Sequence, residues 1–212
     1  MALDETVLTG RYVRLEPLEM RHAAALARAS SEGDAELYRW SPVPRTEAEA
    51  EKYIQTALTW RDAGTAVSFA TVRLADDRVV GSTRFFLLEY WAWPEGHELH
   101  GRKAPDACEI GYTWLAPSAT RTPINTEAKF LMLQYAFEQW NVFRVCLHTD
   151  MRNVRSRAAI ERIGGKFEGT LRAHRMASDF IARDSARFSI VASEWPEVKE
   201  RLRAKLNRAP NS

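Results

Sequence analysis

The loop from Pro117 to Asn125 has the sequence context of a phosphate-binding site. It follows an apolar segment, Cys108 to Ala116, that reads as a β-strand, and it leads into a long helix predicted from Thr126. A strand that passes through a loop into a helix leaves free backbone N–H groups at the positive end of the helix dipole. A second helix, predicted from Asn153, also follows a strand. The two units predict a protein that holds a phosphorylated cofactor and carries out chemistry beside it.

Composition limits the classes of protein to which the chain can belong. A length of 212 residues favours a single domain that spans residues 1–212. A formal net charge of +2 gives no argument for a nucleic-acid or membrane partner. Cys108 and Cys146 both lie in predicted buried strands, as is usual for reduced core residues of a cytoplasmic protein. We expect no signal peptide and no membrane-spanning helix, because no apolar run approaches about 20 residues.

The elements that must position the loop alternate between strands and helices, which predicts an α/β fold. Helices are predicted over 21–30, 46–62, 126–140, 153–163 and 194–206. Strands are predicted over 7–16, 67–74, 79–90, 108–116, 143–149, 167–175 and 186–192. The helix from Thr126 is apolar on almost every side, so we expect it to be buried. It is either a plain core helix or one with a cofactor at its N-terminus.

The segment between Tyr90 and Asp106 is longer than a hairpin requires and carries four ring side chains, namely Trp91, Trp93, His97 and His100. We interpret it as a wall of the pocket for a second substrate or as an oligomer contact. Two histidines alone do not make a zinc site, which needs three or four protein ligands. No metal ligand is therefore assigned.

The order of short motifs along the chain resembles the GNAT superfamily of N-acetyltransferases, and within it the RimJ/RimL-like branch. The motifs are Glu109-Ile-Gly-Tyr112, Asn125-Thr-Glu-Ala-Lys129, Thr149-Asp150, Asn153-x-x-Ser156, Ile163-Gly164 and Glu168-Gly-Thr-Leu-Arg172. The resemblance implies a mixed, V-splayed central sheet of about seven strands flanked by helices, with acetyl-CoA as co-substrate in the cleft of the V.

The resemblance also implies which residues hold the cofactor. The strand would contact the pantetheine arm at Trp114, Leu115 and Ala116. The loop and helix start would bind the pyrophosphate through Thr120, Arg121, Thr122, Ile124, Asn125 and Thr126. Two glycine positions of the family pattern fall on Arg121 and Pro123. The arginine can add a cationic contact to phosphate, but proline has no N–H to donate.

Asn153 and Ser156 would complete the cofactor site from the second helix. Asn153 matches an asparagine of the family that forms a hydrogen bond near the pantetheine, and it also suits a simple N-cap. The position at which many relatives carry a tyrosine general acid is Ile160 here. The thiolate would then leave unassisted or take a proton from water.

The chemistry implied by the resemblance is acetyl transfer to an amine that has lost its proton. Glu109 is the predicted base, acting through water, and a backbone N–H of the same strand, around Tyr112 to Trp114, would stabilise the oxyanion. We expect an acetyl-CoA-dependent N-acetyltransferase that acts by direct transfer in a ternary complex. The acceptor would be a primary amine of a protein N-terminus, a lysine or a small molecule. The alternative is a non-catalytic acyl-CoA-binding or protein-interaction module.

Two further expectations concern partners. The basic segment from Arg172 to Arg175 would meet a carboxylate-bearing acceptor or form an exposed charged hairpin. A homodimer is compatible with the aromatic content.

Overall fold

The computed structural model describes residues 6–177 and 179–208. Within these residues the chain forms eight strands: β1 (Leu8–Thr9), β2 (Val13–Pro17), β3 (Ala66–Arg73), β4 (Arg78–Glu89), β5 (Ala107–Leu115), β6 (Arg144–Asp150), β7 (Lys166–Met176) and β8 (Ala182–Val191). The helices are α1 (Ala23–Ser31), α2 (Ala35–Tyr38), α3 (Glu47–Asp62), α4 (Ile124–Glu138), α5 (Val154–Ile163) and α6 (Trp195–Arg208).

The strands form one mixed sheet in the order β1-β2-β3-β4-β5-β6-β8-β7. Neighbouring strands are antiparallel except β5 and β6, which are parallel and pair only where 107–109 faces 144–146. Beyond these residues the two strands carry on without pairing, so the sheet opens between them. The V-splayed α/β sheet flanked by helices is therefore confirmed, with eight strands where about seven were predicted.

Helices cover both faces of the sheet. The side chain of Thr83 on β4 contacts α4 through Lys129, whereas the next residue, Arg84, lies against Tyr53 of α3. Because successive side chains of a strand point to opposite faces, α3 and α4 lie on opposite sides of the sheet. Helix α4 is extensively buried, as its apolar sequence predicted, and it also buries two charged residues, Glu127 and Lys129.

The extra strand arises because the predicted strand over 7–16 is interrupted. The buried carboxylate of Glu127 accepts hydrogen bonds from the backbone N–H groups of Arg11, Tyr12 and Val13, at 2.8, 2.6 and 2.9 Å. These donors therefore bond to a helix side chain, and the chain turns between β1 and β2. Gly10 fits here because a Cβ on it would lie 2.3 Å from Cδ of Glu127.

The differences from the predictions include two boundaries and one helix. Helix α4 begins at Ile124, two residues before the predicted start, because Pro123 with φ of −63° is compatible with a helix start. Strand β8 begins at Ala182 rather than at 186. The short helix α2 was not predicted, and Asp34 caps it by accepting a hydrogen bond from the N–H of Leu37.

Cys108 and Cys146 are buried and unpaired, on the adjacent strands β5 and β6. In the described part of the chain, no helix is both long and apolar enough to cross a membrane.

Candidate functional site

A cavity of about 1110 Å³ occupies the opening between β5 and β6. Strand β5 supplies one wall from Glu109 to Leu115, and the end of β6 with the start of α5 supplies the other. Residues of α2, of the β5–α4 loop and of the β7–β8 hairpin complete the lining. The cavity thus lies where the parallel pairing ends, which is the place that the resemblance assigned to the cofactor.

Strand β5 contains a β-bulge beside this cavity. Ser82 pairs with Trp114 and Arg84 pairs with Gly111, so Thr83 alone faces both Tyr112 and Thr113. Tyr112 has a positive φ of 51°, which is rare for a non-glycine residue within a strand. A bulge leaves one residue out of the regular hydrogen-bond ladder. The bulge therefore lies at the position where the sequence predicted an oxyanion-binding N–H.

The loop before α4 keeps a glycine-like backbone although its glycine positions are substituted. Arg121 has φ of +59°, a left-handed conformation that glycine adopts without steric cost. Arg121 and its neighbours Thr120 and Thr122 line the cavity. The side-chain oxygen of Thr122 accepts a hydrogen bond from the N–H of Ile124 at 3.3 Å. The next two N–H groups, of Asn125 and Thr126, have no acceptor within the helix.

Arginine side chains lie near the starts of α4 and α5. Arg155 and Arg162 of α5 line the cavity together with Arg121. Nη1 of Arg162 donates a hydrogen bond to Oγ1 of Thr126 at 2.6 Å, and Nη2 of Arg155 donates to the carbonyl oxygen of Leu37 at 2.9 Å. These contacts fix two guanidinium groups near the N-termini of α4 and α5. The region is suited to an anionic group.

Asn153 caps α5, as the simpler of its two interpretations predicted. Its side-chain oxygen accepts a hydrogen bond from the N–H of Ser156 at 3.0 Å. Both residues also line the cavity, as does Ile160 one turn later. The cap occupies the oxygen of Asn153 and no hydrogen bond within the described chain occupies its amide nitrogen.

The side chain of Glu109 faces the cavity although the residue is only 4% exposed. Its Oε2 lies 2.7 Å from Nδ1 of His148 on β6 and 3.7 Å from Nη2 of Arg175 on β7. The carboxylate is therefore held between two groups that can carry positive charge. Strand alternation alone could not decide which way this side chain points.

Lys129 lies below the β5 bulge and is fully buried. Its Nζ donates hydrogen bonds to Oγ1 of Thr83 at 2.8 Å and of Thr113 at 2.6 Å. Burial lowers the pKa of this lysine from 10.5 to about 7. Lys129 also lines the cavity, so an amine that is largely neutral near physiological pH lies under the predicted cofactor strand.

The structure brings most of the predicted site residues to one cavity. Those in its lining are Glu109, Tyr112, Trp114, Leu115, Thr120, Arg121, Thr122, Asn125, Asn153 and Ser156. Ala116, Ile124 and Thr126 are buried beside it and do not line it. For these three, any cofactor contact would come from backbone groups.

The aromatic segment between Tyr90 and Asp106 does not line the cavity, so its interpretation as a pocket wall is wrong. Trp91 stacks on Phe143, with ring centroids 5.1 Å apart. Nε1 of Trp93 donates a hydrogen bond to Asp106 at 2.9 Å. These contacts hold the segment against the start of β6, at the end where β5 and β6 are paired. The oligomer contact remains a prediction.

The cavity residues that were assigned no role from the sequence include Lys129, His148 and Arg183. Lys129 was detectable, because a lysine in an otherwise apolar helix face calls for a buried partner. His148 and Arg183 carried no local signal, since their positions depend on the pairing of β6 with β8 and of β8 with β7.

Comparisons with known proteins identify the family of the chain. A family model described as an acetyltransferase (GNAT) domain matches residues 13–166. The chain is 26% identical, over 92% of its length and 99% of the relative's, to YdaF of Bacillus subtilis (strain 168), provisionally named a ribosomal N-acetyltransferase.

Solved structures show the same fold. A GCN5-related N-acetyltransferase from Brucella melitensis is 32% identical with a TM-score of 0.80, covering 95% of this chain and 86% of that one. RimJ of Mycobacterium smegmatis, solved in complex with CoA-disulfide, has a TM-score of 0.77 at 24% identity, covering 98% and 96%.

Proposed function

The chain belongs to the GNAT family of acetyl-CoA-dependent N-acetyltransferases, and on that premise we propose that it acetylates the α-amine of a protein N-terminus by direct transfer. The name of YdaF supports a protein acceptor, since YdaF is provisionally named for ribosomal N-acetylation. The observation that carries the proposal is the buried carboxylate of Glu109, which faces the cavity where β5 and β6 separate.

The cavity residues fit acetyl-CoA. The helix start at Asn125 offers N–H groups without an acceptor in the helix. Arg121 precedes it in the cavity lining and Arg162 contacts Thr126, a donor set suited to a pyrophosphate. Strand β5 supplies an edge without a strand partner for the pantetheine arm beyond Glu109. When bound, acetyl-CoA supplies the acetyl group as an activated thioester.

Glu109 would remove the proton of the incoming amine. An α-amine has a pKa of about 7.7–8.0, so a large part of it is protonated near neutral pH and a base increases the reactive fraction. The carboxylate acts directly or through one water, and His148 at 2.7 Å orients it. Nη2 of Arg175 lies 3.7 Å from the same oxygen.

The bulge at Tyr112 would supply the oxyanion donor. A backbone N–H that is outside the regular ladder can point into the cavity and receive the developing negative charge. No tyrosine of α5 protonates the leaving thiolate, because Ile160 stands at the family position. The sulfur then takes its proton from water.

The proposal is tested by two measurements on the purified protein. Acetyl-CoA should raise the melting temperature, and a peptide with a free N-terminus should release CoA thiol, while the same peptide blocked at its N-terminus should not. A thermal shift without turnover would favour the alternative of a non-catalytic acyl-CoA-binding module. Turnover that requires a lysine side chain and ignores the α-amine would contradict the assignment of the acceptor.

A further inference from the structure

Arg175 on β7 and Arg183 on β8 lie directly opposite each other across the two antiparallel strands. Side chains at such paired positions lie on the same face of the sheet, with Cβ atoms about 4.5–5.5 Å apart. Both arginines line the cavity. The β7–β8 wall of the cavity therefore carries two guanidinium groups as near neighbours.

An irregularity in β7 sets this arrangement. Leu171 pairs with Ser185 and Arg175 with Arg183, so residues 172–174 face Asp184 alone. Ala173 has φ of +46°, and its N–H donates a hydrogen bond to Oδ1 of Asp184 at 2.8 Å. Bulges of this kind redirect side chains next to active sites. Without it, a residue other than Arg175 would face Arg183.

Two like charges directly opposite each other destabilise a strand pair unless an anion lies between them. Arg183 is partly buried, and burial together with the charge of Arg175 lowers its pKa. Within the described residues, no carboxylate lies within salt-bridge distance of Arg183, and its Nε donates a hydrogen bond to Oγ of Ser185 at 3.1 Å. The two guanidinium groups therefore lack enough negative charge nearby to balance them.

The nearby carboxylates do not balance the positive charge of the arginine pair. Oε2 of Glu109 lies 3.7 Å from Arg175 and 2.7 Å from His148, so one carboxylate serves two neighbours. Asp150 binds Arg152 through both of its oxygens, at 3.0 and 2.8 Å. The wall around Glu109 has more positive than negative side chains.

We propose that Arg175 and Arg183 form a carboxylate-binding subsite, so that the preferred acceptor carries a carboxylate a few bonds from its reactive amine. This inference rests on the proposed function, because it takes Glu109 as the group that receives the amine. Arginine binds carboxylate through paired N–H donors, which suits a site of two guanidinium groups. The contact between Arg175 and Glu109 sets the short spacing between amine and carboxylate.

The spacing fits an N-terminus with an acidic second residue, or a free amino acid. Peptide amides that begin Ala-Asp and Ala-Asn differ only in this carboxylate, and alanine and alaninamide form the matching small pair. We expect KM for the Ala-Asp peptide to be about tenfold lower than for the Ala-Asn peptide, equivalent to about 1.4 kcal/mol. A preference confined to alanine over alaninamide would assign the subsite to a free amino acid.

The variants Arg183→Gln and Arg183→Lys separate charge recognition from folding. Arg183→Gln should reduce the ratio of the two KM values to about one, whereas Arg183→Lys should retain part of it. Arg172→Gln is the matched control, because Arg172 is exposed on the same hairpin and does not line the cavity. This control should keep the full ratio. Melting temperatures measured alongside identify any variant that fails to fold.

The outcomes also separate this inference from the proposed function. Equal KM values for both peptides, unchanged in Arg183→Gln, would overturn the subsite and leave the acetyltransferase intact. If neither peptide is acetylated, the assignment of a protein N-terminus as acceptor is wrong. Calorimetric titration of both peptides into the protein saturated with CoA then tests whether the subsite binds a carboxylate. Tighter binding of the Ala-Asp peptide would support it, and equal binding would contradict it.

Discussion

Nδ1 of His148 lies 2.7 Å from Oε2 of Glu109, and both side chains are almost completely buried in the cavity wall. The ring of His148 also lies against that of His174, with centroids 5.3 Å apart. An imidazole between a carboxylate and a second ring restricts the orientation of that carboxylate. The relationship joins β5 to β6 at the point where their pairing ends.

His148 is therefore a positioning residue, and His148→Asn tests that role. We expect kcat to fall about tenfold while KM for acetyl-CoA stays close to wild type, because the carboxylate of Glu109 loses the ring that holds its orientation. His97→Asn is the control, since His97 lies outside the cavity. A purely structural role would lower the melting temperature of His148→Asn and leave kcat of the folded protein unchanged.

Arg121 offers a test of the substituted phosphate loop. Its φ of +59° suits glycine, so Arg121→Gly should leave the free energy of unfolding within about 1 kcal/mol of wild type or raise it. KM for acetyl-CoA should rise several-fold if the guanidinium contacts phosphate. Asp77→Gly has a similar φ of +53° in a turn outside the cavity and should not change KM. An unchanged KM in both variants would remove Arg121 from the cofactor site.

The lowered pKa of Lys129 predicts a pH-dependent stability difference. With a pKa of about 7 folded and 10.5 unfolded, the unfolded chain binds more protons between these values, so stability rises with pH across that window. Below it, both states are protonated and the cost of the buried charge is fully present. The Lys129→Met variant lacks this group.

Urea unfolding of both proteins at several pH values checks the point. The stability of Lys129→Met relative to wild type should be greatest near about pH 7 and should decrease by up to about 1.4 kcal/mol per pH unit above it. Lys52→Met provides the control, because Lys52 is an exposed lysine on α3. A stability difference that is the same at every pH would show that Lys129 titrates normally.

Glu127 predicts a structural effect at a distance from the chemistry. Glu127→Ala removes the acceptor of three backbone N–H groups in the β1–β2 turn and should lower the free energy of unfolding by about 3 kcal/mol. Glu51→Ala, an exposed glutamate on α3, should change it by less than about 0.5 kcal/mol. Equal effects would mean that the turn is held by other contacts.

Helix ends that are set by neighbouring residues could be predicted from the sequence. Thr46 accepts a hydrogen bond from Glu49 at the start of α3, as the capping pattern predicted, and Gly164 ends α5 with φ of +111°. Asn153 likewise marked the start of α5. Each depends on residues within one helical turn, so a short segment contains the information.

The parts that could not be predicted depend on long-range pairing. Arg183 faces Arg175 only because β7 is irregular after Leu171. The interruption between β1 and β2 depends on Glu127, more than a hundred residues away in the chain. The direction of Glu109 depends on the register of β5 with both neighbours. In each case the determining contact lies in another element.

The central claim is that Glu109 serves as base for transfer from acetyl-CoA to an amine in this cavity. The most direct measurement is kcat/KM of wild type and Glu109→Gln for one N-terminal peptide at saturating acetyl-CoA, with Glu95→Gln, an exposed carboxylate in the loop after β4, as the control. Glu109→Gln should still bind acetyl-CoA, with kcat/KM reduced by about 10²–10⁴-fold, and Glu95→Gln should match wild type. Glu109→Gln with the same kcat/KM as wild type would contradict the role of Glu109 as base.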